Sequence, residues 1–391
     1  MKKYYTILIL LYSMSGSAGG ADIPRWMVLT LQGEEMVRGG KYEQGLDFFL
    51  QAERIQEHST RLYMNLAVCY KFLAEHTPSS EQRKEYYFTF IAYVKKVLAL
   101  EPLHPDARYL LDKHLGMIPE NIPFHNNEAR EFYKAGRDAM KTGSFEAAQG
   151  LFAKGLEAER HPDILKSLAV LHYRRKEYTD AAHLLRESVG LNTVQHDAYM
   201  ILGEIAEQKN RLNEAKAYYI KALASYPNYF PAREKISLIN KKTGRDSSFF
   251  FLMDPVPAEQ RTIAPDAEIK MRRLAERIEV NMFQLQCWLV YHRTVREAKA
   301  SHREKLPGSV FTLTPEIEVE AVGTMLLFYV ENREKKGVTL KQFDILYSLM
   351  QKGLLKPAVF FYRWRDEFAD AFVQYRTVHF DDLCRMFEEH L

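Results

Sequence analysis

The sequence predicts an all-α fold, an α-solenoid of stacked helix hairpins followed by a separate all-helical C-terminal domain. Two observations predict it. Between residues 129 and 229 one helix–turn–helix pattern returns three times, its small residues Gly136, Ala169 and Gly203 spaced by 33 and 34 positions. From residue 266 that pattern is gone, and Met271, Leu274, Ile278, Met282, Leu285 and Leu289 step by three and four, close to the helical period. The same residues drift off a strict seven-residue register, which argues against a dimeric coiled coil.

In chain order, residues 1–21 differ from everything after them. Lys2-Lys3 precede an apolar run from Tyr4 to Met14, and a small-residue stretch from Ser15 to Ala21 comes next. A positive end, a short apolar core and a small-residue exit make the pattern of a secretory signal peptide, with cleavage after Ala18 or Ala21. The core is shorter than the about 20 apolar residues a membrane span requires. An uncleaved N-terminal anchor is the other reading. No later segment is apolar and long enough to span a bilayer, so the expectation is an exported bacterial protein, periplasmic or else surface-exposed or secreted.

The whole chain has 391 residues, 47% of them hydrophobic, enough for two or three packed domains. A net charge of +3 is too balanced to argue for nucleic acid, and no long Lys/Arg run or basic-aromatic ladder is present. Mean hydropathy is -0.34, that of a soluble protein. Cys69, Cys287 and Cys384 are odd in number and far apart, too few for a disulfide-stapled scaffold. They read as buried small hydrophobes, with a Cys287–Cys384 pair as the alternative.

Residues 26–118 hold divergent units of the same hairpin kind. In the first, Gly33 takes the small-residue position, Gly40 the turn, Tyr42 the aromatic after it, and Gly45, Phe49 and Ala52 the second helix; Glu57 stands where a closing proline is expected. The next begins with Leu66-Ala67 and Tyr70 and ends with Val97, Leu100 and Pro102. Between them, His76-Thr77-Pro78-Ser79-Ser80 and the residues after Ser80 lengthen the unit, either extending both helices or making a loop on one face. A helix from Asp106 to about Leu115 comes next, and the Pro119–Pro123 segment breaks it from the main array.

The main array, residues 127–244, contains three units and a capping helix. The first reads Phe132, Ala135-Gly136, Ala139, Gly143, Phe145, Ala148, Phe152 and Gly155; the second Leu165, Leu168-Ala169, His172, Tyr178, Ala181, Leu185 and Ser188. The third reads Tyr199, Leu202-Gly203, Ala206, Asn210, Leu212, Ala215, Tyr219, Ala222 and Pro227. Small residues at 136, 169 and 203 let two helices approach, and Phe152, Leu185 and Tyr219 fill the space between them. Gly143 and Asn210 stand where the first helix ends in a left-handed residue, with Lys176 at the less ideal equivalent. These residues resemble the tetratricopeptide repeat, a unit of about 34 residues. The resemblance implies hairpins stacked into a superhelix with a concave, protein-binding face.

After Pro227 a helix from Phe230 to Lys242 with a polar later face closes the array. Residues 245–265 form a linker whose apolar string Phe249–Met253 either docks on a neighbouring helix or occupies the protein's own groove. In the tail, 266–391, no family resemblance is recognised, and it reads as about five helices. One long amphipathic helix runs through Met271 and Leu289. Thr314, Pro315 and Glu316, Glu318 and Glu320 open the next, which ends at Lys335-Lys336-Gly337. Thr339 and Gln342 make a capping box for a helix stopping at Lys352-Gly353. Two last helices span Pro357–Arg376 and Phe380–His390.

Catalytic and cofactor patterns fail one at a time. There is no Walker-type phosphate loop, His-Glu-x-x-His, Cys-x-x-Cys or Gly-x-Ser-x-Gly. His379, Asp381, Asp382 and Cys384 are residue types that ligate zinc, but their spacing matches no common site and the acids suit a helix start. His172 and His183 flank a repeat turn and read as surface or packing residues. The expectation is no metal and no cofactor.

The resemblance places the binding groove on Arg130, Tyr133, Arg137, Met140 and Lys141 of the first unit. The second contributes Lys166, Val170, Tyr173 and Arg174, with Asp163 beside them, and the third Met200, Glu204 and Glu207, with Asp197 and Gln208. Two basic-aromatic surfaces and an acidic one are expected, suited to a partner segment with carboxylates and an apolar anchor. Carboxylate-clamp members of the family carry a Lys and then an Asn here, whereas Lys166 is followed by Val170 and Tyr133 by Arg137. Chaperone C-terminal specificity is therefore not implied. The reading is an exported non-enzymatic scaffold or adaptor for envelope assembly, with a protein or peptide ligand. Two alternatives stand beside it: a catalytic tail to which the repeats deliver a partner, and a host-contacting or adhesive surface protein.

Overall fold

Small residues facing large ones decide how the first hairpin closes. In this computed structural model α1 (Arg25–Arg38) and α2 (Tyr42–Glu53) pack so that Phe49 lies directly over Gly33; a Cβ there would fall 2.5 Å from the ring. The turn between them places Gly40 at φ +78, a left-handed conformation glycine adopts without strain. The structure describes residues 23–56, 58–101, 104–119, 122–244, 261, 267–363 and 366–390, and every regular element among them is helical. The expected signal peptide, nearly all of the 245–265 linker with its Phe249–Met253 string, and the unit-closing positions Glu57 and Pro102 lie outside these residues.

The chain divides into two compact units, Met1–Leu111 and Asp112–Leu391. In the first, α3 (Thr60–His76) and α4 (Ser80–Leu100) resolve the insertion: both helices are lengthened, to 17 and 21 residues, and joined by the short turn Thr77–Ser79. Ser59 and Ser79 accept from Leu62 and Gln82 amides and cap the two helices. Glu34 on α1 ties the hairpins together, taking both Arg61 nitrogens at 2.6 Å and Asn65 at 2.9 Å. A helix over Pro105–His114, α5, comes next.

In the second unit the three hairpins are α6 (Asn127–Lys141) with α7 (Phe145–Ala158), α8 (Pro162–Arg174) with α9 (Tyr178–Leu191), and α10 (His196–Gln208) with α11 (Leu212–Ser225). Their turns place Gly143, Lys176 and Asn210 at φ 80, 64 and 55, so the middle unit uses the same left-handed turn with a lysine in it. Phe152, Leu185 and Tyr219 are fully buried between the helices. Each such side chain stabilises the fold by about 1.5–3 kcal/mol. The array ends in α12 (Phe230–Lys242), as the sequence predicts.

The tail departs from its sequence pattern in three places. The long amphipathic helix is broken into α13 (Glu268–Arg277) and α14 (Met282–Lys305), because Glu279 takes φ 54 and Asn281 accepts from the Phe283 amide at 2.8 Å to start the second piece. α15 (Pro315–Lys336) starts and stops as expected, with Thr314 capping it and Gly337 left-handed. The Thr339–Gln342 capping box does not form: Leu340 occupies the cap of α16 (Lys341–Gln351) and offers no side-chain acceptor. The helix expected over Pro357–Arg376 is instead α17 (Leu355–Tyr362), a 3-10 turn at Asp366–Phe368 and α18 (Ala369–Val378), before α19 (Phe380–His390).

The sequence sets the tail apart, yet its helices share one hydrophobic core with the second and third hairpins. Arg376 of α18, 5% exposed, donates from Nη1 to the carbonyls of Met117 at 2.6 Å and Ser225 at 2.7 Å. It thereby satisfies a carbonyl at the end of α11 that has no helical partner. Phe380 stacks on Tyr199 at 6.3 Å and Arg233 lies 4.8 Å over Phe361. Cys69, Cys287 and Cys384 are unpaired and buried, and burial pushes each thiol up to about 12.

Candidate functional site

One face of the array is built by the first helix of each hairpin, α6, α8 and α10, and carries the residues the sequence assigns to a groove. Arg130, Arg137, Lys141 and Arg174 are exposed; Tyr133, Met140, Lys166, Val170, Tyr173, Glu204 and Glu207 are half-buried. α8 and α10 run side by side there. Tyr173 donates to Glu204 Oε2 at 3.0 Å, and burial together with that carboxylate raises its phenol to about 12, so it stays a donor. Toward the other end of the same face, burial raises the Asp197 carboxyl. His196 at 3.1 Å and Lys166 of α8 outweigh that and hold it below the usual carboxylate range.

On α6 and α8 the free charge of this face is cationic. Lys141 pairs with Asp138 at 2.7 Å, Lys166 with Asp163 at 3.2 Å, and Arg130 approaches Glu131 at 3.7 Å. The Lys141 and Arg130 pairs are exposed, contribute only about 0–1 kcal/mol and open easily, whereas the Asp163 carboxylate under Lys166 is buried. Arg137 and Arg174 have no carboxylate partner among the described residues; each lies over a ring, Tyr133 at 5.8 Å and Phe145 at 5.4 Å. A guanidinium attracted to an aromatic face spends no N–H group on it and keeps them free for a carboxylate.

Two assignments are corrected. Met200 is 8% exposed and belongs to the core of the third hairpin and tail, so it is not available to a ligand; Asp163, 2% exposed, is likewise withdrawn from the surface. The acidic surface expected on the third unit is also partly consumed within the chain. Glu207 accepts from Tyr219 at 2.8 Å and from Lys235 of α12 at 2.5 Å, and Tyr229 reaches Asp197 at 3.4 Å. Burial raises the Glu207 carboxyl, but Lys235 and Tyr219 outweigh it and hold it below its usual range. Phe145, Lys235 and Tyr229 thus shape the face although the repeat pattern does not assign them to it; their signal in the sequence, an aromatic after a turn and a polar capping helix, is that of packing.

The zinc-ligating residue types near the C-terminus do not gather into a site. His379 Nδ1 stands 3.3 Å from Asp382, while Cys384 is buried and its thiol stays protonated. At the second turn, His172 Nδ1 meets Glu177 Oε2 at 2.6 Å with Asp180 beside them, their ligand-capable atoms all within 4.8 Å of one another. That contact gives His172 a hydrogen-bond partner at the hairpin turn.

The tetratricopeptide-repeat family model matches residues 133–193 and 177–230. The comparison with curated proteins gives no match. Among solved structures, the first such domain of Spaghetti, bound to an HSP90 peptide, is 25% identical, with a TM-score of 0.30, covering 32% of this chain and 98% of its own. A thermophilic protein of Thermus thermophilus is 16% identical, TM-score 0.24, covering 55% and 98%. YrrB, described as having an unusual peptide-binding site, is 14% identical, TM-score 0.26, covering 60% and 98%. With the family model lying over three hairpins that share small-residue packing and left-handed turns, residues 133–230 of the chain are tetratricopeptide repeats.

Proposed function

We propose that the protein is a non-enzymatic scaffold that holds other polypeptides on the face formed by α6, α8 and α10, after export to the bacterial envelope. The observation that carries this reading is the pair of exposed guanidiniums, Arg137 and Arg174, each seated on an aromatic ring and left without a carboxylate among the described residues. Beside them Tyr133, Met140 and Val170 offer half-buried apolar area. A partner segment with carboxylates and one apolar anchor satisfies both at once: Arg grips carboxylates with two parallel hydrogen bonds, and a desolvated anchor supplies most of the affinity. Export is supported by the Lys2-Lys3 start and the Tyr4–Met14 apolar run, and a periplasmic location fits an assembly role. Among the described residues no helix is long and apolar enough to cross a membrane.

The test is charge reversal. Arg137→Glu, Lys141→Glu and Arg174→Glu together are expected to lower capture of the partners found by in-cell crosslinking by roughly tenfold or more. The circular dichroism spectrum should stay unchanged, since exposed substitutions usually shift stability by no more than about 0.5 kcal/mol each. Undiminished capture by the folded triple variant contradicts the reading.

A further inference from the structure

The lengthened hairpin of the first unit carries a surface that the regular hairpins lack. α3 and α4 have 17 and 21 residues, against 14 and 12 for α1 and α2, so their last and first turns extend past the neighbouring pair. On this extension Phe88 is 73% exposed and Tyr87 39%. Singly exposed apolar residues are ordinary. These two adjoin a cleft of about 520 Å³ that they share with Ala74, Glu75, Arg83 and Lys84. That volume lies within the roughly 300–1,000 Å³ of a side-chain or ligand pocket.

The cleft is lined by two cations and one carboxylate, and its net charge is positive. Glu75 is paired with Lys71 one helical turn away. Arg83 donates to the Thr77 carbonyl at 3.0 Å, which leaves its charge uncompensated, and Lys84 makes no ion pair among the described residues. On α4, with about 100° per residue, Arg83, Lys84 and Tyr87 fall to one side of Phe88 and Glu81 and Glu85 to the other. A flat anionic surface laid on Phe88 would meet both carboxylates. A narrow segment entering the cleft meets Arg83 and Lys84, with Glu75 held by Lys71.

We propose that the tip of the α3–α4 hairpin is a second docking site, separate from the array face, which takes a short amphipathic protein segment bearing an apolar or aromatic anchor flanked by carboxylates. The anchor fills the cleft against Phe88, Tyr87 and Ala74, and its neighbouring carboxylates reach Arg83 and Lys84.

The experiment titrates the full chain into a fluorescein-labelled helical peptide of roughly three turns, with Leu and Phe on one face and Glu on the other. Saturable anisotropy is expected. Measured in a background of Arg137→Glu with Arg174→Glu, which silences the array face, Phe88→Ala should weaken it by about tenfold or more and Lys84→Glu by several-fold. The same peptide with Lys for Glu should not bind. Phe88 is exposed, so its truncation leaves the fold intact, and thermal melts of both variants check this. Absent saturable binding, binding indifferent to Phe88→Ala, or binding of phosphatidylserine vesicles rather than the peptide would each overturn the proposal.

Discussion

Glu318→Ala is expected to destabilise the protein by roughly 3–5 kcal/mol, measured by urea denaturation of the tail helices. Glu318 is fully buried on α15, its Oε1 accepting from Arg363 Nε at 2.7 Å and its Oε2 from Tyr291 Oη at 2.8 Å. Arg363, 8% exposed, also reaches Tyr291 at 3.1 Å and lies 4.9 Å over the Trp288 ring. Burial by itself would lower the Arg363 pKa; Glu318 and Tyr291 more than reverse that and hold it above its usual value. Removing the carboxylate takes from this buried guanidinium its ion pair with Glu318, and breaking a buried pair from one side is what makes the loss large. Glu318→Leu combined with Arg363→Met should be far milder, because an apolar pair has no charge to strand. Equal losses in the single and double variants would contradict this account of the core.

The second large effect falls in the repeats. Gly203→Ala is expected to cost about 3 kcal/mol, since its Cβ would stand 2.3 Å from Tyr219 Cε1, against a ring that is itself fully buried. The middle hairpin shows the way out, with Ala169 opposite Leu185 in place of glycine opposite an aromatic ring. Gly203→Ala with Tyr219→Leu should therefore recover much of the loss, less the hydrogen bond that Tyr219 gives Glu207. Thermal melts of the single and double variants compare the two.

Whatever repeats in this chain is legible in its sequence. Gly136, Ala169 and Gly203 recur in register because three hairpins face the same packing problem, so fold class, turn positions and the α12 boundary can be read from it. Breaks that do not repeat are hidden. Apolar spacing continues from Leu274 to Met282 across the left-handed Glu279, and only Asn281 as a cap marks the interruption. Long-range partners leave no local trace: Arg376 reads as a surface cation near the end of α18, yet it binds carbonyls of residues 117 and 225. In the candidate groove, residue type is visible but availability is not. Met200 is covered by core packing, and Glu207 is occupied by Lys235 from a helix whose polar face reads only as a cap. The insertion is visible as length, whereas the exposure of Phe88 depends on which way the added turns of α4 face.

The central claim is that partners sit on the face of α6, α8 and α10. Photo-crosslinking from single sites tests it most directly, with p-benzoylphenylalanine in place of Arg137 on α6 or of Gly150, an exposed position on α7. The account predicts a crosslinked partner from position 137 and none from 150. A partner crosslinked from position 150 but not from 137 would contradict it.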